Sequence, residues 1–327
     1  MFEKLKYIIL TIILFLFISC TSSQYKSNNP RYIITSPEIA EIVCLIQGTE
    51  NIVGITTECD YPLELKSIPK VGTFGKVDFE KIIELNPTLV FTSALEQDAL
   101  SDELQKLNIK TIKIYPKSID EMIKAIRDIG IIINKEKRAN FIADSLQTEL
   151  SKLELSSALA GLDLSLNINS NHSEDQDARI SPAETIRKVS DFPNSTISTD
   201  STNSLTVYIE IYGNPIMSVS DKSFVGEVVQ AAGGNNIFSE LPRDYSRIKP
   251  EQVIEANPEI IILTYPGIDA VQIKERKGWE VISACKSNRI YTVENIDPDL
   301  ILRASPRVIE GIKKLKKIFK GANKNKR

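Results

Sequence analysis

VDFEKIIELNPTLVFTS, residues 77–93, reads as a helix that stops at Asn86-Pro87 and hands over at once to an apolar strand. Proline cannot continue a helix, and the β-branched and aromatic run behind it suits a buried strand. The same order returns in IKPEQVIEANPEIIILT, residues 248–264, which aligns without gaps. The two stretches match at five of seventeen positions: Glu80/Glu251, Ile83/Ile254, Glu84/Glu255, Asn86/Asn257 and Pro87/Pro258. They lie 171 residues apart, too far for a solenoid period, so two duplicated lobes are expected.

On the amino side of the first copy, RYIIT (31–35) reads as a short buried strand. SPEIAEIVCLIQG (36–48) reads as a helix with Ser36 as N-cap, Pro37 at its first position and Gly48 as its stop. NIVGIT (51–56) is a second strand, followed by the loop ECDYP (58–62), and DELQKLNIKTIKIYP (102–116) repeats the alternation. Strands and helices alternating at this spacing predict a parallel α/β sheet over residues 31 to about 117.

Between the copies, KEKRANFIADSLQTELSKLELSSAL (135–159) contains no Gly or Pro, and its apolar residues fall near helical spacing at Phe141, Leu146, Leu150, Leu153 and Leu155. One helix of this size is roughly 37 Å long, a stiff spine between lobes. From 163 to 204 the character changes: 23 of 42 residues are Ser, Thr, Asn or Asp, which marks a flexible insertion without a core. SLTVYIEIYGNPIMSV (204–219) then reads as a strand pair around the Gly213-Asn214 turn, and SFVGEVVQAAGGNNIF (223–238) as another Ser-started, Gly-stopped helix. The expected organisation is an N-terminal α/β lobe at 31–134, a backbone helix at 135–160, an insertion at 161–204 and a C-terminal α/β lobe at 205–327.

The two ends carry signals of their own. Residues 1–19 join Lys4 and Lys6 to an apolar run from Tyr7 to Ile18, the layout of a signal peptide and too short to span a bilayer. Ser19-Cys20-Thr21 resembles a bacterial lipobox, which makes Cys20 the expected lipidation site and 20–30 a lipidated tether. The last sixteen residues carry eight positive charges and no acid, with Ile312, Leu315 and Phe319 on one helical face. That stripe reads as core packing, and contact with anionic lipid is the alternative.

Several function classes are excluded by composition. A net charge of −3 gives no basic bias toward nucleic acid. Only one histidine, His172, is present, so three-His metal sites are impossible, and no GxSxG elbow supports a hydrolase. Besides Cys20 there are Cys44, Cys59 and Cys285, enough for one disulfide at most. No catalysis, resident metal or cofactor is expected.

The succession SPEIAEI, IVGIT, DYP, VGTFGKVDFEKIIELNPTLVF, long helix, SFVGEVVQAAGGNNIF, RIKPEQVIEANPEIII and RASPRVIEGI resembles the iron-siderophore and cobalamin-binding proteins of ABC importers over nearly the whole chain beyond the leader. The resemblance implies two Rossmann-like α/β lobes with parallel sheets, joined by one long backbone helix, with a ligand held between them. It also implies a permease with its ATPase as partner and a lipid-anchored place in the cell envelope.

Ligands of open α/β sheets collect beyond the carboxyl ends of the strands. The candidate ligand-binding residues are therefore Ser36, Tyr61, Phe74, Ser93, Tyr212, Tyr245, Arg243 and Arg303, with Tyr265, Arg247 and Arg307 nearby in sequence. Phe74 and Tyr245 fall where the family's cobalamin binders place aromatic side chains. Those members carry Trp where this chain has Phe74, Ser93 and Tyr245, and its single Trp279 lies elsewhere. The arginines could bind an anionic ferric chelate; for Arg303 and Arg307 an interlobe salt bridge is the equal alternative. A ferric siderophore or related iron chelate is the expected ligand, ahead of cobalamin or heme, and a surface receptor without transport is the rival class. The resemblance further implies an acid on each lobe that docks on the permease: Glu251 in the second lobe, and Glu96 or Asp98 in the first, with Glu80 as the repeat equivalent of Glu251.

Overall fold

The computed structural model describes residues 29–93, 98–169 and 205–324. In the amino-terminal part the elements are β1 (Tyr32–Ile34), α1 (Pro37–Gln47), β2 (Ile52–Ile55), the short β3 (Gly72–Thr73) and β4 (Lys76–Val77), α2 (Phe79–Glu84), β5 (Leu89–Thr92), α3 (Asp98–Lys106), β6 (Thr111–Lys113) and α4 (Ile119–Ile132). Four strands form one sheet in the order β2-β1-β5-β6, every pair parallel. The central strands β1 and β5 carry buried side chains on both faces, as a sheet covered by helices on each side requires. Ile33 and Val90 pack on one side with Ile82 and Leu104; Ile34 and Phe91 join the large core on the other.

α5 (Glu136–Asn169) follows, then β7 (Leu205–Glu210), β8 (Tyr212–Gly213), β9 (Ile216–Val219), α6 (Phe224–Ala231), β10 (Gly234–Asn236), β11 (Tyr245–Arg247), α7 (Pro250–Ala256), β12 (Ile260–Leu263), α8 (Ala270–Lys274), α9 (Ser283–Lys286), β13 (Ile290–Tyr291), α10 (Asp299–Leu302) and α11 (Val308–Lys324). A second all-parallel sheet runs β10-β7-β12-β13. The sequence repeat is a structural one: β5 and β12 hold the same place in their sheets, each behind a helix. Asn86 and Asn257 turn the chain at the same positive φ of 44°, a conformation asparagine tolerates better than other side-chain-bearing residues.

Two expectations are revised. The strand pair expected over 204–219 divides. β7, almost wholly buried, is taken into the parallel sheet, and the hairpin is made by β8 and β9, which with β11 form a separate antiparallel sheet. The spine helix expected to end at 159 continues to Asn169, into the stretch read as the start of the insertion; LDLSLNIN supplies no proline to stop it. Along its length α5 packs on α4 and α1 of the first lobe and on α11 of the second. Lys316 of α11 donates to the Leu153 carbonyl at 2.5 Å and to Ser156 Oγ at 3.0 Å, and Ile312, Leu315 and Phe319 are buried in the core. Cys20 and residues 1–19 lie outside the described residues, as do 170–204.

Candidate ligand-binding cleft

The carboxyl ends of β1, β5 and β6 face the start of α6, the start of β11 and the end of α10, and between them lies a cavity of about 310 Å³. Each wall follows from local sequence. Ser36 leaves β1 in extended conformation as the N-cap of α1, with Pro37 at the first helical position. This presents Glu38 to the cavity one residue on. Phe74 sits at the tip of the β3–β4 hairpin, where its backbone N–H donates to Glu58 Oε2 at 2.8 Å. Ser93 directly follows β5, and its hydroxyl meets Glu38 Oε1 at 3.4 Å. Tyr115, Pro116 and Lys117 follow β6 directly. The opposing lobe contributes Phe224, Asp244, Tyr245, Leu302, Arg303 and Ala304.

Four aromatic rings therefore line one small space, Phe74 and Tyr115 from one lobe and Phe224 and Tyr245 from the other. Burial, foremost, raises the Tyr245 phenol well above its usual range, and Tyr115, Asp244 and Glu38 add to this; Tyr115 is raised by burial and then by Asp244 and Glu38. Both phenols stay protonated at neutral pH and can donate hydrogen bonds. Burial also raises the Glu38 carboxyl, against the lowering effect of the Ser36 hydroxyl, its own backbone N–H, the Arg303 charge and Ser93.

Of the residues expected from sequence, the cavity brings together Phe74, Ser93, Tyr245 and Arg303. Of the two roles expected for Arg303, its contacts are those of the interlobe salt bridge. Its Nη1 donates to Glu41 Oε1 at 3.1 Å and Asp60 Oδ1 at 2.9 Å, and its Nη2 meets Asp299 Oδ2 at 2.8 Å and the Glu58 carbonyl at 3.3 Å. Arg307 grips the same Glu41 with two bonds of 2.8 and 2.7 Å. The interlobe salt bridge is the arrangement found. Ser36 is wholly buried behind the cavity wall. Tyr61 lies outside it, 45% exposed, under the Arg307 guanidinium at 4.0 Å from the ring centroid. Arg243 points to solvent. Tyr212 is 52% exposed and leans on Tyr265, whose hydroxyl is drawn to buried Glu210 together with Arg276 and Tyr208. Neither Tyr212 nor Tyr265 reaches the cavity. Glu96 lies outside the described residues, Asp98 opens α3, and Glu251 and Glu80 are both exposed in the first turns of α7 and α2.

Glu38, Glu58, Tyr115, Lys117, Phe224 and Asp244 line the cavity without having been singled out in the sequence. Tyr115 carried a readable signal, since it stands just past the carboxyl end of a strand in TIKIYP. Glu38 and Asp244 are neighbours of residues that were singled out, but nothing in a sequence distinguishes an inward carboxylate from a solvated one. Among the described residues no group of three or more His, Cys, Asp or Glu is placed to hold a metal ion.

The profile described as "Periplasmic binding protein" matches residues 33–157 and 194–302. The chain belongs to that family. An uncharacterized ABC transporter substrate-binding lipoprotein of Bacillus subtilis, YvrC, is 27% identical over 295 residues, 89% of this chain and 80% of its own. The solved heme-binding protein RhuT of Roseiflexus sp. RS-1 superposes with a TM-score of 0.69 at 20% identity, covering 90% of this chain and 99% of its own. The vitamin B12-binding protein BtuF of Vibrio cholerae does so with a TM-score of 0.66 at 18% identity, covering 90% and 98%. This periplasmic binding protein is a substrate-binding component of the ABC-importer type, not an enzyme, and works outside the cytoplasm.

Proposed function

We propose that the protein captures a compact metal chelate, a ferric siderophore or a close relative, in the cleft between its lobes and delivers it to a membrane permease with its ATPase. The observation that carries this reading is the cavity itself, in which two aromatic side chains from each lobe face one another around about 310 Å³. Flat apolar faces with two phenol donors suit a rounded chelate with carbonyl or hydroxamate oxygens on its surface. The volume sits at the low end of the ~300–1,000 Å³ range of ligand pockets, which favours a compact chelate over a corrinoid. Lipidation of Cys20 would tether the protein beside its permease. Glu80 and Glu251, exposed on equivalent helices of the two lobes, would be the docking acids, with Glu96 and Asp98 as the other first-lobe candidates.

Heme is the second reading, favoured by the two cleft phenols, since tyrosine is among the axial ligands of heme iron. Ligation would draw the proton from one of these phenols, both of which burial raises in the protein alone. The test is quenching of intrinsic fluorescence of the full-length protein in detergent, titrated with ferric siderophores, hemin and cyanocobalamin. Saturable quenching by a ferric siderophore, weakened about tenfold or more by Tyr245→Ala or Phe74→Ala, is expected, as loss of an aromatic wall removes both area and a stacking face. Saturation by hemin or cyanocobalamin alone would replace the siderophore, and silence with all three would leave a surface receptor without transport.

A further inference from the structure

The charge of the cleft wall carries a consequence for which chelates it admits; this rests on the reading of the cleft as the ligand site. Three carboxylates line the cavity, Glu38 and Glu58 from one lobe and Asp244 from the other. Glu58 accepts the Phe74 N–H and Glu38 faces the Ser93 hydroxyl; neither contact supplies a cation, and the Arg303 charge that reaches Glu38 does not outweigh its burial. Asp244 has no ion-pair partner among the described residues. Arg303, the cation nearest in the wall, is already shared among Glu41, Asp60 and Asp299. To turn toward a ligand it would have to leave Glu41, whose side chain is 3% exposed, and desolvated ion pairs are costly to break. Arg307 is held by the same Glu41 and by Asp297. That leaves Lys117, exposed at the rim and without a carboxylate partner among the described residues.

We propose that the cleft sorts metal chelates by charge, admitting uncharged and cationic ones and rejecting anionic ones, with Glu38 and Asp244 as the selecting residues on its two walls. An anionic chelate meets carboxylates in a partly desolvated space where like charges repel far more than in water. A cationic group meets the same carboxylates as partners, and its charge offsets the burial that raises the Glu38 carboxyl. The arginines that would ordinarily offset an anion are the ones that clamp the two lobes together.

The test separates charge from shape with one chelate core: ferrioxamine B, whose free amine is cationic, its uncharged N-acetyl derivative and its anionic N-succinyl derivative, each titrated against the full-length protein in detergent at low salt. The cationic form is expected to bind about tenfold or more tightly than the anionic one, with the uncharged form between them, and the gap to shrink as salt rises. The Glu38→Gln/Asp244→Asn double variant should close most of the gap, and Lys117→Glu, on the exposed rim and safe for folding, should widen it. Equal affinity for the three derivatives, an unchanged gap in both variants, or preferential binding of a ferric tris-catecholate or of hemin overturns the charge selection while leaving the chelate reading in place. No binding of any of these, nor of cyanocobalamin, overturns the chelate reading and this inference with it.

Discussion

Glu38 is a side chain whose cost and use are the same property. Burial raises its carboxyl above the ordinary 4.5, so the folded protein holds that proton where the unfolded chain has released it. Between 4.5 and the raised native value the folded state binds more protons, and stability falls as pH climbs through that interval and stays lower above it. Glu38→Gln should accordingly raise the thermal midpoint at pH 7.5 and leave it nearly unchanged at pH 4, measured by circular dichroism melts; an equal shift at both pH values would place the effect in packing instead. Asparagine has a different use. Each of the five described residues other than glycine with positive φ is an asparagine, at 86, 108, 134, 257 and 288, and each stands one or two positions past a helix. The side chain also works at two of them: Asn257 Oδ1 accepts the Ser283 N–H at 2.8 Å, and Asn288 Oδ1 accepts from Lys274 Nζ.

At the scale of elements, the spine helix is set by a close approach rather than by its length. A Cβ on Gly130 of α4 would stand 2.2 Å from the Ala139 Cβ of α5, and the turn between the two helices is closed by Lys135 N to the Gly130 carbonyl at 2.7 Å. Helices joined so tightly cannot part locally. Gly130→Ala would gain about 1 kcal/mol of helix propensity but overpack the crossing at about 1–3 kcal/mol, so a net loss is expected in urea unfolding, larger for Gly130→Val. A more stable Gly130→Ala protein would show that the crossing yields freely. The pairing of Asn-Pro with a following apolar strand made the helix–strand units legible twice over, because proline and asparagine act within a few residues. Where the strand went was not legible: β7 and β9 look like partners in sequence, and burial on both faces sent β7 between β10 and β12.

Across the whole molecule, the lobes are joined by α5, by an apolar core that runs through both, by the Ile119 N–H donating to Glu227 Oε2 at 2.7 Å, and by one buried anion. Glu41 of α1 takes both Arg303 and Arg307 from the far end of the chain, and Arg307 lies over the Tyr61 ring as well. Glu41→Gln removes the anion that both guanidinium groups share while leaving Arg303 with Asp60 and Asp299 and Arg307 with Asp297, a change expected to cost less than the about 3–5 kcal/mol of a wholly unpaired buried charge. The expected outcome is a clear drop in thermal midpoint together with a wider spread of lobe orientations in small-angle scattering, and an unchanged profile in both would show that α5 and the shared core set the spacing of the lobes without the Glu41 clamp. A clamp of this kind, beside a continuous helix, favours small closures over wide hinge motion.

The sequence by itself determined the α/β class, the duplication, the spine and a minority of the cleft side chains, because caps, prolines and apolar periodicity act locally and Phe74, Ser93 and Tyr245 sit at strand ends or turns whose place follows from the alternation. Only the tertiary structure decided what the charged residues do. Arg303 and Arg307 look the same in sequence whether they hold a ligand or Glu41, and Glu38, Glu58 and Asp244 look the same whether they face water or a cavity. Charge acts through space and burial, and both are settled only when segments more than two hundred residues apart, such as Glu41 and Arg303, come together.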